Sequence, residues 1–372
     1  MSDLAAVKAL QESNAQLPVH WYFDERIAAL EQRLLFDAGP GYVGHELMVP
    51  ELGDHQTLVW QGDSHVLVRN ASGVQLLSNV CRHRQATVLK GRGNSKTFVC
   101  PLHRWTYGLD GKLLGAPHFP KQPCLDLAHV GIENWNGLLF RGPRDPNRDL
   151  ARLGCLADLS FEGYVFDRAE TTEYKFNWKT FIEVYLEDYH VEPFHPGLSN
   201  FVDCGGLDWE MGEWYSVQTV PANRGLKRAG SPAYRTWQDQ VLKQSNGEPP
   251  KHGAIWMVYY PNVMIEWYPQ VLIVSTVLPR GPEACTNIVE FYFPEEIALF
   301  EREYVEAERQ AYLETALEDE IICNRMTEGR RALLHQGLNE VGPYQSPTED
   351  GMRHFHEFLQ RELGPHLTAT TA

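Results

Sequence analysis

The chain has 372 residues and a formal net charge of −16, enough length for two domains and the wrong sign for general binding to nucleic acid. It has no charged-then-apolar leader and no apolar run near the ~20 residues of a spanning helix, so no membrane association is expected. Of its seven cysteines, Cys124, Cys155, Cys204, Cys285 and Cys323 show no framework spacing, which predicts a reduced, cytoplasmic protein.

Residues 1–40 read as a helical segment, with Ile27, Leu30, Leu34 and Leu35 near helical spacing behind Asp24-Glu25. From Tyr42 to about Phe140 the pattern changes to short strands, such as Thr57–Trp60, His65–Arg69 and Val74–Leu77, separated by Gly and Asp/Asn turns. This predicts a small all-β domain over 41–145, ending in the turn-rich Gly142-Pro-Arg-Asp-Pro-Asn linker. Residues 146–372 read as an α+β domain in which an antiparallel sheet grips helices. Its expected strands are Tyr164–Phe166, Thr171–Phe176, Trp256–Tyr260, Met264–Tyr268, Leu272–Leu278 and Ile288–Phe293, followed by one charged helix from Pro294 to about Leu334.

Within the β domain, Cys81-x-His83 and Cys100-x-x-His103 are two short clips, each pairing one Cys with one His. A Rieske [2Fe–2S] centre needs two thiolates on one iron and two imidazoles on the other, and two mixed clips deliver that set. A Cys₂His₂ zinc site uses the same ligand types, but zinc motifs usually pair Cys with Cys and His with His. Asn79-Val80 and Phe98-Val99 read as strand ends, so the ligands are expected on two neighbouring loop tips.

The second informative stretch runs from Asn177 to His195 and reads as helical until Pro193. At about 100° per residue, Glu183, Glu187 and His190 share a face, Asp188 points elsewhere, and His195 swings back beyond the proline. Two imidazoles, a carboxylate and open positions make a facial triad for Fe(II). A third ligand must come from far along the chain, where Glu318, Asp319 and Glu320 are all candidates.

Both stretches resemble the Rieske non-haem iron oxygenases. The likeness also covers Trp105-x-Tyr107, Asp110-Gly111, Asn177-Trp-Lys, Tyr42-Val-Gly-His45, Tyr260-Pro-Asn262, Pro279-x-Gly-Pro282 and Gly351-x-x-x-Phe355-His356. It implies that Cys81, His83, Cys100 and His103 hold the cluster and that His190, His195 and Asp319 hold the mononuclear Fe(II). It also implies that Glu187 bridges the iron site to the cluster of a neighbouring subunit in a head-to-tail homotrimer. Three positions depart from the family pattern: Gln85 and Arg104 stand where glycine is common, and Glu187 stands where most members have Asp, which bears on the substrate class.

The resemblance implies a terminal oxygenase that uses O₂ and two electrons. The chain shows no dinucleotide-binding GxGxxG after a strand, so a separate flavin- or ferredoxin-type reductase must oxidise NAD(P)H. The nearest resemblance is to members acting on choline, carnitine and betaine-like compounds. Hydroxylation or N-dealkylation of an onium substrate is therefore expected, with ring hydroxylation of an aromatic compound or aromatic acid as the alternative and a Rieske electron carrier without oxygenase activity as the second. The expected pocket draws on Trp209, Trp214, Tyr215, Trp256, Tyr259, Trp267 and Tyr268, with charge from Glu266 or Asp208.

Overall fold

The computed structural model describes residues 16–223, 226 and 228–367. The helical reading of residues 1–15 lies outside them. The chain divides into two compact units, one spanning residues 40–148 and the other formed by the flanking segments.

The first unit is built of short antiparallel strands. A five-stranded sheet contains Asp54–Thr57, His65–Asn70, Gly73–Ser78, Arg92–Asn94 and His129–Val130. The strand expected at Thr57–Trp60 stops at Thr57 and gives way to a 3₁₀ turn over Val59–Gln61. The Thr57 hydroxyl donates to Asp63 at 2.6 Å, and Gly62 and Asp63 both take positive φ, which reverses the chain there. A small sheet of Phe98–Val99, Thr106–Tyr107 and Leu113–Gly115 packs Phe98, Trp105 and Tyr107 against Val66, Val68 and Leu77.

The second unit is a seven-stranded antiparallel sheet. Its strands are β1 (Tyr164–Tyr174), β2 (Asp208–Met211), β3 (Tyr215–Val220), β4 (Ala254–Tyr259), β5 (Val263–Tyr268), β6 (Val271–Pro279) and β7 (Cys285–Pro294). Their order across the sheet is β1-β7-β6-β5-β4-β3-β2. The stretches read as two strands at 164–166 and 171–176 are one, β1, with a bulge between Phe166 and Arg168. β4 to β7 are almost wholly buried on both faces, including polar side chains such as Glu266, Ser275, Asn287 and Glu290 that interrupt their apolar runs.

Among the described residues, the unit's α-helices of seven residues or more are α1 (Glu25–Glu31), α2 (Trp178–Tyr185), α3 (Pro232–Gln244), α4 (Arg302–His335) and α5 (Asp350–Leu367). One sheet face carries Trp256, Tyr268, Ile273 and Phe291, which pack with Trp237 of α3 and Tyr304 of α4. Val258, Met264 and Val277 lie on the same face, an even number of residues from Trp256, Tyr268 and Ile273 on their strands, and pack further along it with Trp178 of α2 and Phe355 of α5. The helix expected from Pro294 breaks at Glu301, separating a short helix over Glu295–Phe300 from α4. Arg302 at the start of α4 is tied to Asp167 of β1 at 2.5 Å.

The helix expected to reach Pro193 ends at Tyr185. The backbone N–H of Asp188 donates to the Thr348 carbonyl at 2.9 Å instead of continuing the helical ladder, which turns residues 186–190 away from the α2 axis. Pro193 falls inside a separate one-turn helix, Val191–Phe194.

The early end of α2 also separates Glu183 from Glu187. Glu183 is fully buried and accepts hydrogen bonds from Tyr22, from Arg330 at 2.7 Å and from His356 at 2.9 Å. Beside it, Lys179 Nζ meets Glu31 at 2.6 Å, and Trp178 Nε1 donates to Glu31 at 2.8 Å. These bonds tie α1, α2, α4 and α5 into one buried polar network, in which every charge named has a partner.

Burial pushes the Glu183 carboxyl up, but Arg330, His356 and Tyr22 outweigh it and hold it at about 2, against an ordinary value of 4.5. A folded value below the unfolded one means stability that is complete above about pH 4.5 and lost as pH falls toward 2. The shift corresponds to about 3 kcal/mol. Acid unfolding followed by circular dichroism should therefore show a loss in that window. Glu183→Gln, which leaves Arg330 buried and unneutralised, should cost ~3–5 kcal/mol at neutral pH and flatten the acid loss. Equal stability of the two proteins at pH 7 would refute the role given to this network.

Candidate active site and cluster site

In the first unit, the two Cys/His clips fold alike. Cys81 N–H donates to Ala86 O, and Cys100 N–H to Trp105 O, both at 2.8 Å. Gln85 N–H returns to Cys81 O, and Arg104 N–H to Cys100 O, both at 3.1 Å. Closing each loop this way requires a left-handed residue at its fifth position, and Gln85 and Arg104 take φ of 56° and 62°. This is the physical reason for glycine at such positions, and two side chains here bear the strain instead.

The clips bring Cys81 and Cys100 together in the core, each 1% exposed. The His83 and His103 rings lie outside them with centroids 4.6 Å apart. His83 stacks flat on Trp105 at 5.0 Å, and its Nδ1 is buried with no hydrogen-bond partner. A buried ring nitrogen left unpaired beside a second imidazole suits a metal ligand. Burial raises both thiols, yet the Tyr107 hydroxyl and the His83 backbone bring Cys81 below its usual value while Cys100 stays above it. In two thiols that interact this closely, the first negative charge makes the second harder to form, and metal charge relieves both. The donor set fits two thiolates at one end and two imidazoles at the other.

In the second unit, His190 Nε2 and His195 Nε2 are 2.9 Å apart. Asp319 Oδ1, reaching in from α4, lies 2.9 Å from His195 Nε2 and 3.4 Å from His190 Nε2. That oxygen is buried but makes no hydrogen bond of good geometry. The three atoms surround a common point rather than bonding in pairs. Ligands ~2.1 Å from an ion at right angles to one another lie about 3 Å apart, so the triangle matches one face of an iron coordination sphere.

Each imidazole is aimed by an acid behind it. Glu187 Oε1 accepts from His190 Nδ1 at 2.5 Å, and its Oε2 accepts from the His190 backbone N–H at 3.1 Å. Glu318 Oε2 accepts from His195 Nδ1 at 2.7 Å. Both bonds fix the tautomer that presents Nε2 to the centre. Burial opposes a charge on His190, but Asp319 and Glu187 outweigh it and raise the imidazole to about 10. The negative field that holds a proton there is the field a divalent ion would occupy.

A pocket with about 880 Å³ of empty volume, counting its open mouth, adjoins this triangle. Among the expected aromatics only Trp256 and Tyr268 line it. Trp209 instead donates to Pro347 O at 2.9 Å, Arg361 covers Trp214 at 4.9 Å, Tyr215 donates to Glu210 at 3.0 Å, Tyr259 donates to Asp149 at 2.7 Å, and Trp267 faces His252. Asp208 is exposed on β2 and lies outside the pocket, while Glu266 of β5 lines it. The remaining aromatic wall comes from helices: Phe181 and Tyr185 of α2, Tyr234 and Trp237 of α3, and Tyr312 of α4.

Sequence reasoning missed Glu308 and Tyr312, although the signal was present. Residues 308, 312, 315, 316, 319 and 323 all line the pocket and form one helical stripe that passes through Asp319. Asp188, expected to point elsewhere, is buried in the pocket wall, and burial raises its carboxyl to about 6. Glu320, the third acid in the run, is absent from the triangle. Asp319→Ala should lower bound iron by one atom per chain and leave acid-labile sulfide and the cluster's visible spectrum unchanged. Iron analysis that matches the unaltered protein would show that Asp319 is not a ligand.

Residues 41–128 match the model of the Rieske [2Fe-2S] domain, and residues 161–364 match that of the ring hydroxylating alpha subunit catalytic domain. A putrescine 2-hydroxylase of Ralstonia nicotianae is 61% identical over 363 residues, covering 98% of this chain and 100% of the relative. The carnitine monooxygenase oxygenase subunit of Escherichia coli is 26% identical over 364 residues, covering 92% of each. A solved quaternary ammonium Rieske monooxygenase superposes with a TM-score of 0.72 at 19% identity, over 94% of this chain and 95% of that one. Naphthalene 1,2-dioxygenase from Rhodococcus sp. gives 0.70 at 18%, over 94% of each; at such identities the likeness establishes the fold alone. A matching Rieske domain, a matching catalytic domain and full-length identity to a hydroxylase together make this chain a member of the ring-hydroxylating alpha-subunit family, the Rieske non-haem iron oxygenases.

Proposed function

We propose that this chain is the terminal oxygenase that hydroxylates a carbon of a small protonated diamine, putrescine or a near analogue. The observation that carries this reading is the concentration of acidic side chains in the pocket. Glu187, Asp188, Glu266, Glu308 and Asp319 line it, and no Lys or Arg does so among the described residues. A primary ammonium, charged up to about pH 10 like that of lysine, carries both a positive charge and N–H donors. An aromatic acid would find no Lys or Arg there to pair with its carboxylate. A quaternary ammonium brings the charge but leaves the carboxylate oxygens without a donor. The relative from Ralstonia nicotianae, named for putrescine, supports the same choice.

The overall reaction is R–H + O₂ + 2 e⁻ + 2 H⁺ → R–OH + H₂O. The family's cofactors, a Rieske [2Fe–2S] cluster and a mononuclear iron, supply the stored electrons and the dioxygen chemistry. In this reading Cys81, His83, Cys100 and His103 hold the cluster, and His190, His195 and Asp319 hold the iron on one face, leaving the other face open toward the pocket. The aromatic wall limits water, and the acids orient the amine.

Glu187 has a second task. Its carboxylate already fixes His190, and its remaining lone pairs are free to accept from a cluster histidine of a neighbouring subunit. A head-to-tail trimer, a ring of contacts that close on themselves, would supply that neighbour. The electrons come from a separate flavin- or ferredoxin-type reductase that oxidises NAD(P)H, in the cytoplasm.

The substrate is tested by single turnover of the dithionite-reduced protein with O₂ and putrescine. Mass spectrometry should find one added oxygen on carbon, with ¹⁸O from labelled O₂. Product from benzoate-type acids or carnitine, with none from any diamine, would overturn the substrate class. For the bridge, Glu187→Gln should keep both metals and a dithionite-reducible cluster while product per turnover falls by about tenfold to a hundredfold. Unchanged single turnover would remove the bridge.

A further inference from the structure

Glu308 has no role in the chemistry above. It is 2% exposed and lines the pocket, yet its Oε2 makes no hydrogen bond. Burial, then Glu266 and Glu170, raise its carboxyl well above the usual range despite Arg168 and Arg309 nearby. Glu266 of β5 also lines the pocket and is equally buried. It accepts from Tyr268 Oη at 3.1 Å and Tyr312 Oη at 3.3 Å. Two buried acids facing one pocket without a cation form a poor structural element, because the oxygen left unpaired on Glu308 is a net cost to the empty protein. They form a good receptor for a positive group with several N–H donors.

Their position gives the receptor a length. Glu308 and Asp319 lie on one stripe of α4, eleven positions apart, which is about 16 Å along the helix axis. Tyr312, one turn beyond Glu308 on the way to Asp319, holds Glu266. An ammonium bound at the acid pair is therefore remote from the His190/His195/Asp319 face, and the carbon that reaches this face belongs to the other end of the molecule.

Resting on the diamine reading, we propose that Glu308, with Glu266 beside it, anchors the second, non-reacting ammonium of the substrate and selects diamines by charge and by length. n-Butylamine has a single ammonium, so it can fill either this pair or the reacting end but not both. 1,3-Diaminopropane has the charge but is one carbon shorter.

The test is isothermal titration of the metal-loaded protein with putrescine, 1,3-diaminopropane and n-butylamine, followed by single turnover with each. The unaltered protein should bind putrescine about 30-fold tighter than n-butylamine, as expected for one charged hydrogen-bonded contact, with 1,3-diaminopropane between them. Glu308→Gln should weaken putrescine by about that factor and keep the cluster spectrum. If Glu308→Gln yields no folded protein, Glu266→Gln carries the same expectation from the sheet side. No loss for putrescine in the folded variant would overturn the anchor while the diamine reading stands. Failure of the unaltered protein to bind any diamine would overturn the functional reading and the anchor with it.

Discussion

The buried carboxylate of Glu183 sets the position of the elements that carry the active site. It sits near the C-terminal end of α2 and takes hydrogen bonds from Arg330 of α4, His356 of α5 and Tyr22 of the N-terminal segment. A charge with no exposed surface is stable only if all its partners are present, so the network fixes the offset between α2 and α4. That offset matters because α2 leads into the segment bearing Glu187, His190 and His195, while α4 bears Asp319 and Glu318. Arg330 also bonds Thr180 on α2 at 2.9 Å, which adds a second tie between the same two helices.

Acidic side chains recur through the site in distinct roles. Asp319 offers an oxygen with no hydrogen-bond partner to the centre of the triangle. Glu187 and Glu318 stand behind the imidazoles and hold their Nδ1 protons. Glu266 and Glu308 line the pocket under burial that raises both carboxyls, Glu266 to about 8. Without cations this concentration of acid is unfavourable. An iron at one end and ammonium groups along the pocket would balance it, so metal and substrate charge both favour the same folded arrangement.

Much of this was legible in the sequence because ligand chemistry leaves short, rigid spacings. Cys81-x-His83 and Cys100-x-x-His103 could be read before any fold was known, and the structure explains why each clip needs a left-handed fifth residue. His190, His195 and Asp319 also come together as expected. The helix boundary at Tyr185 was not legible, since the hydrogen bond that ends the regular ladder comes from Thr348, more than a hundred residues away. Periodicity over Asn177–Pro193 carries no trace of such a partner, and it placed Glu183 on the face of Glu187. The pocket was misread for a related reason. Strand aromatics such as Trp209 and Trp267 draw attention by composition, but which face a strand turns inward depends on register. The α4 stripe was readable at helical spacing, although its acids resemble an ordinary solvated helix face.

The central claim is that His190, His195 and Asp319 converge on one iron beside an acidic pocket. Anomalous diffraction at the iron edge from crystals of the iron-loaded protein tests it most directly. The account predicts a single-atom peak about 2.1–2.3 Å from His190 Nε2, His195 Nε2 and an Asp319 oxygen, on the side facing the pocket. A cluster peak in the first unit with no iron peak at these three side chains, or iron held there by other residues, would contradict it.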